Sequence, residues 1–244
     1  MNLRPPTLPP ANEALRRLLA AGPPPDGNQV PFLRTLRQAA LVVPMHPQGG
    51  LLRMARASRQ RPGEEEVVLH AFTTHELAAR FASQVRDAPP DRMTVLSTIE
   101  LCKRAIADGV DAIHIDAGAP SYAMYFHGMM DLLSCLAFDG KNTVTFEPVS
   151  VRYGIPKTPM PASAIDPIRA LGKAHGLTHL SWCTRWMGDA PGEMLFSFTP
   201  YPCEPFARAL AEHMSRSSRG RYTFGSRDAS EQDPAIAPHL QTLI

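Results

Sequence analysis

The sequence predicts an α+β protein of two small mixed domains, each a mainly antiparallel or mixed sheet with helices packed on it. Strand-like and helix-like segments follow one another without the strict alternation of a parallel α/β fold. The length of 244 residues with 44% hydrophobic composition is ample for buried cores and excludes wholesale disorder. A stretch holding Pro148, Pro156, Pro159 and Pro161 separates two such runs. The expected organisation is a proline-rich segment with one short helix (1–27), a first domain (28–150), a proline-rich linker (151–162) and a second domain (163–244).

Eight of the 25 prolines fall within the first 31 residues. They bracket a helix over 11–21 whose Leu15, Leu18 and Leu19 share one face, with Asn12 as its expected N-cap. A second helix follows near 31–39, then a short apolar strand over 40–45. Residues 51–57 and 67–72 flank a polar turn and read as a hairpin, with Arg59 and Arg61 set against Glu64, Glu65 and Glu66. Thr73 with Glu76, and Ser97 with Glu100, fit the capping box that opens a helix. The second of these helices ends at Gly109 and turns Ile99, Cys102 and Ile106 inward.

Beyond Gly109 a strand over 110–116 and a returning strand over 121–126 are expected. A Met-rich helix over 128–136 and a strand over 143–146 complete the first half. After the linker come a helix (163–175), strands over 179–187 and 193–199, a helix (204–215), and a tail with one more strand and a short terminal helix.

Lys and Arg number 25 against 23 Asp and Glu, a net charge of +2. That balance argues against a nucleic-acid or anionic-membrane protein. Arginines cluster between Arg53 and Arg61 and between Arg216 and Arg227, the latter interleaved with Tyr222 and Phe224. The near-neutral total makes both groups solvated surface. Cys102, Cys135, Cys183 and Cys203 form no C-x-x-C pair, so neither a disulfide scaffold nor a structural zinc site is expected. No apolar run reaches the length of a membrane span, no secretory leader is visible, and the expected location is cytoplasmic.

The fingerprints of phosphate loops, dinucleotide-binding turns, zincins and nucleophile elbows are absent, so no cofactor and no metal are expected. Period-two alternation puts His114 and Asp116 on one strand face, where an imidazole and a carboxylate could share a ligand or form an acid–base pair. Ser121, Tyr125 and His127 could supply a third group. Trp182 and Trp186 share a strand face, and with Met124, Met129 and Met130 they are the candidates for an apolar partner-binding patch.

The order of segments resembles the SseB family of bacterial proteins, named for enhanced serine sensitivity, in both its N-terminal and its C-terminal domain. The N-terminal likeness covers about residues 11–137. It runs through the helix NEALRRLLA from Asn12, FLRTL from Phe32, LVVPM from Leu41, LHAFTTHEL from Leu69 and GVDAIHIDAG from Gly109. The last departs from the family pattern: Asp116 and Ala117 stand where Asn and Pro are usual, and His114 replaces an apolar residue. The C-terminal likeness, about 156–244, rests on element order. The resemblance implies an α+β fold with no established activity, cofactor or catalytic residue, and the family name is also associated with type III secretion. The expected function is a non-catalytic adaptor or regulatory protein that binds another protein. The alternative is an enzyme or small-ligand or metal-binding protein with a pocket around His114 and Asp116.

Overall fold

A computed structural model describes residues 6–58, 63–85, 92–155, 162–218, 223–231 and 233–244. The described residues form seven α-helices and thirteen strands in several mixed or antiparallel sheets, an α+β fold. The chain divides into two compact units, Met1–Pro148 and Val149–Ile244. No helix among the described residues is long and apolar enough to cross a membrane.

The first unit opens with helices α1 (Ala11–Ala21) and α2 (Val30–Gln38), then strand β1 (Ala40–Pro44). The hairpin β2 (Arg53–Ala57) and β3 (Glu65–Ala71) follows, then α3 (His75–Ala82), β4 (Met93–Ser97) and α4 (Thr98–Ala107). The unit ends with β5 (Ala112–Ile115), β6 (Tyr122–Tyr125), α5 (Phe126–Leu133), β7 (Leu136–Phe138) and β8 (Thr143–Thr145). Its main sheet has the order β2-β3-β5-β6, with β3 and β5 parallel and the outer pairs antiparallel. A parallel pair needs a long crossover, and α3, β4 and α4 supply it. β4 pairs antiparallel with β1, and a bridge between Val42 and Phe72 ties that pair to the end of β3. Leu69, Ile113 and Ile115 alternate onto one face of the sheet and are fully buried.

Ser97 caps α4 by accepting the Glu100 amide at 3.2 Å, and Gly109 ends the turn beyond it in the left-handed region at φ 68°. Glu100 does not close the capping box; it pairs with Arg104 one turn on. The cap of α3 is Thr74 rather than Thr73, its hydroxyl accepting the Leu77 amide at 3.2 Å. Asn12 is no N-cap either. It is buried inside α1, and its amide bonds Ala40 O and Thr73 O at 2.7 and 2.9 Å.

The second unit holds β9 (Val151–Gly154), α6 (Ala162–Ala174), β10 (His179–Met187), β11 (Glu193–Thr199), α7 (Glu204–Ser218), β12 (Phe224–Asp228) and β13 (Gln241–Thr242). β10 and β11 form an antiparallel hairpin, β12 adds parallel to β11, and β13 and β9 share the other edge of β10. Residues 151–154, expected in the linker, are therefore a sheet strand; 156–161 lie outside the described residues. Trp182, Phe196 and Phe198 pack with Ile168, Phe206, Leu210 and Met214 on the helix side of this sheet. Cys183 and Leu195 face the other way, under Ile236 and Leu240.

The expected apolar patch does not exist. Met124 and Met129 are fully buried, and Met130 and Trp182 nearly so. Met124 and Trp182 are strand residues on core-facing positions, and the two other methionines lie on the core face of α5. Trp186 is half-buried over Gly154 and Gly192, where an added Cβ would approach its ring to 3.2 and 2.7 Å.

Candidate functional site

One face of the main sheet in the first unit carries a polar cluster. Alternation puts Glu66, Val68 and His70 of β3 on it, with Arg56 of β2 and His114 of β5. Arg56 stands opposite Glu66 and His70 opposite His114 in the strand registers. Arg56 Nε donates to Glu66 Oε1 at 2.6 Å, and the guanidinium continues across β3 to place Nη1 3.2 Å from His114 Nδ1. Ser58 Oγ donates to Glu66 Oε2 at 3.2 Å. Glu66 is only 1% exposed, a carboxylate tolerated at that depth because Arg56 and Ser58 satisfy it.

An arginine side chain only donates hydrogen bonds and keeps its charge. His114 Nδ1 is therefore the acceptor, and its proton sits on Nε2. The His70 ring lies 5.5 Å from that of His114 and 4.5 Å from Phe81 of α3. Burial, reinforced by the neighbouring His114 and Arg56, pushes His70 down from 6.5 to about 4. At neutral pH the cluster holds one buried ion pair, Arg56 with Glu66, beside an uncharged His70 imidazole.

Asp116 is elsewhere. Its backbone is left-handed (φ 56°), which ends the alternation that would have kept it beside His114. The carboxylate is buried and accepts the Thr73 amide at 2.8 Å and the Thr73 hydroxyl at 2.6 Å. Burial raises its pKa, opposed by the bonds from Thr73 and by the charge of Arg16. Ser121 and His127 are exposed and flank opposite ends of β6, six residues apart. The four residues expected to share a pocket thus do not converge: His114 joins Arg56 and His70, Asp116 joins Thr73, and Ser121 and His127 face solvent. No group of three His, Cys, Asp or Glu among the described residues is placed to hold a metal.

No protein-family model, curated protein or solved structure matches the chain.

Two surface features had no sequence signal. In the second unit, a groove of about 460 Å³ crosses the sheet face away from the helices, lined by Tyr153, Arg185, Leu195, Arg227, Asp233 and Ile236. Arg185 is tied to Glu193 at 2.6 Å, and Arg227 lies near Glu231 and Asp233 at 3.8 and 3.7 Å. Both arginines are largely buried, so the charges turned to solvent are the carboxylates of Glu231 and Asp233. A second groove of about 490 Å³ runs between α6 and α7, where Ala170, Ala174 and Ala209 leave room.

The two arginine groups expected as solvated surface are mixed. Arg53 and Arg216 are exposed, but Arg56 and Arg227 are built into the fold. Arg59, Arg61, Arg219, Arg221 and Tyr222 lie outside the described residues. Phe224 packs edge-on against Phe196 rather than standing free to stack. Cys102 is fully buried and its thiol is pushed up to about 12 by burial, the state of a packing residue rather than a nucleophile.

Proposed function

We propose that the chain is a non-catalytic adaptor or regulatory protein of the SseB type that binds another protein. The observation that carries this reading is the fate of Asp116, the carboxylate most suggestive of chemistry. Both of its oxygens are engaged by Thr73 in a buried corner, where they serve to hold the ends of β3 and β5 together. The partner surface in this reading is the sheet groove of the second unit. It combines an aromatic ring and aliphatic side chains with a charged rim, the composition of a protein interface. Solvent-facing Glu231 and Asp233 beside Tyr153 suit an extended partner segment that presents a Lys or Arg side chain.

The test is affinity capture of the tagged chain at native expression level, run beside Tyr153→Ala and Glu231→Lys variants. A stoichiometric partner retained by the parent and lost from both variants, with unchanged unfolding midpoints, supports the reading. A partner bound equally by all three would place the surface elsewhere. No partner at all, with a metabolite raising the melting temperature, would return weight to a small-ligand function.

A further inference from the structure

β9 is an edge strand of the second unit's sheet: it pairs with β10 alone, Tyr153 opposite Arg185 and Arg152 opposite Trp186. Ser150 O accepts the Gly188 amide at 3.1 Å just beyond that ladder, which sets its phase. In an antiparallel pair, residues that exchange backbone bonds alternate with residues that do not. The backbones of Ser150, Arg152 and Gly154 therefore turn to β10, and those of Val151, Tyr153 and Ile155 turn to the free edge. No backbone group of these three bonds another group among the described residues. Tyr153 packs with Cys183 and Leu195 on the face away from the helices, and Val151 and Ile155 stand in the same phase. Both are exposed, by 45% and 56%, two of the four large hydrophobic side chains so exposed among the described residues.

We propose that β9 is a dimerisation edge: it pairs antiparallel with β9 of a second copy of this chain, about a two-fold axis at Tyr153, and joins two sheets into one. The segment 151–155 is self-complementary in that register. Val151 meets Ile155 of the second copy, Ile155 meets Val151 of the second copy, and the two Tyr153 residues face each other. Each exposed aliphatic side chain so gains an apolar neighbour across the strands. All three are edge-facing residues, so each of these pairs exchanges N–H and C=O bonds that the single chain leaves open.

Charge selects the same register. Arg152 is the one charged residue of 151–155, and it falls opposite Gly154 of the second copy, which keeps the two guanidinium groups apart. A two-fold centred on Arg152 would set like charges directly opposite each other, which destabilises a strand pair. A two-fold centred on Val151 or on Gly154 would leave one exposed aliphatic side chain without a partner in the segment. The pairing is isologous, each copy using its β9 edge once, so association through this edge stops at two.

The experiment is sedimentation equilibrium of the intact chain from about 1 µM to about 1 mM. Expected is a rise of the mean mass towards that of a dimer, and a monomer throughout overturns the proposal. Two doubly substituted chains test the register at exposed positions that line neither groove. Val151→Lys with Ile155→Lys sets like charges against each other across the axis, and Val151→Lys with Ile155→Glu sets opposite charges there. The second should dimerise about tenfold or more tightly than the first. Equal dimerisation of the two overturns the proposal. A further measurement needs no substitution: amide exchange at Val151, Tyr153 and Ile155, compared at the two ends of the concentration range. These amides should exchange about tenfold or more slowly in the concentrated sample. Unchanged exchange at all three while the mass rises overturns the proposal.

Discussion

At the scale of single residues, a buried corner shows how a carboxylate that reads as chemistry serves as structure. Asp116, Thr73 and Asn12 lie far apart in sequence and join the end of β5, the end of β3, helix α1 and the start of β1. Apart from the bond between the Thr73 hydroxyl and Asp116, the side chains of that corner bond backbone groups of Ala40 and Thr73. Thr73→Val removes the hydroxyl that donates to Asp116 and leaves a buried oxygen underbonded, and should destabilise the chain by about 1–3 kcal/mol in urea unfolding. Asp116→Asn behaves differently. The raised pKa means that the fold disfavours the charged carboxylate, so the native state loses stability as pH rises through that value. An amide carries no such charge and tolerates the left-handed backbone. The variant should equal or exceed the parent in stability at about pH 7, the difference closing towards about pH 4. A variant clearly weaker at neutral pH would show that the bonds from Thr73, with the attraction to Arg16, outweigh the burial.

At the scale of elements, legibility followed locality. The hairpin of β10 and β11 and helix α1 carry their own patterns, alternating in one and helical in the other, and their bounds are those the residues predict. β4, β7 and β9 went unseen. Each is short, and β4 and β9 pair with partners distant in sequence: residues 93–97 against 40–44, and 151–154 against 184–187. Prolines around β9 signal a linker, yet nothing prevents an edge strand between them. The capping box at Thr73 failed by one residue because Asp116 claims the Thr73 hydroxyl, a competitor that local sequence cannot reveal. The turn between β7 and β8 illustrates a contact of the same hidden kind. Gly140 sits at φ 93°, and an added Cβ would lie 2.1 Å from Asp26 O. Gly140→Ala therefore adds a backbone clash to left-handed strain and should destabilise by about 2–3 kcal/mol. Gly49→Ala is the control, since φ is 97° there with nothing within 4 Å, and about 1 kcal/mol of strain alone is expected. Equal losses in urea unfolding would mean that the Asp26 loop yields at no cost.

At the scale of the whole molecule, the two units set how stability can be read. Both tryptophans, Trp182 and Trp186, belong to the second unit, while the histidine cluster belongs to the first. Tryptophan fluorescence is thus a local probe, and acid effects on the first unit need far-ultraviolet circular dichroism or peptide-level exchange. That cluster was half legible. Alternation along 110–116 singled out His114, but its real neighbours, Arg56 and His70, arrive only through the order β2-β3-β5, which no local pattern encodes. Their arrangement makes acid sensitivity a property of the fold. Above about pH 6.5 His70 is neutral in the folded and unfolded chain alike and contributes no pH dependence. Between 6.5 and about 4 the unfolded chain takes up a proton that the folded chain refuses, so stability falls as pH falls, and it levels off below. The ring is partly open to solvent, which reduces the loss to about 1–2 kcal/mol over that window. His70→Gln removes this titration. Urea unfolding followed by circular dichroism should show its pH dependence between about 7 and about 4.5 flattened by that amount relative to the parent. Parallel profiles for the two would mean that His70 charges as readily inside the sheet as in water, and the buried, cation-flanked setting would not be what holds it neutral.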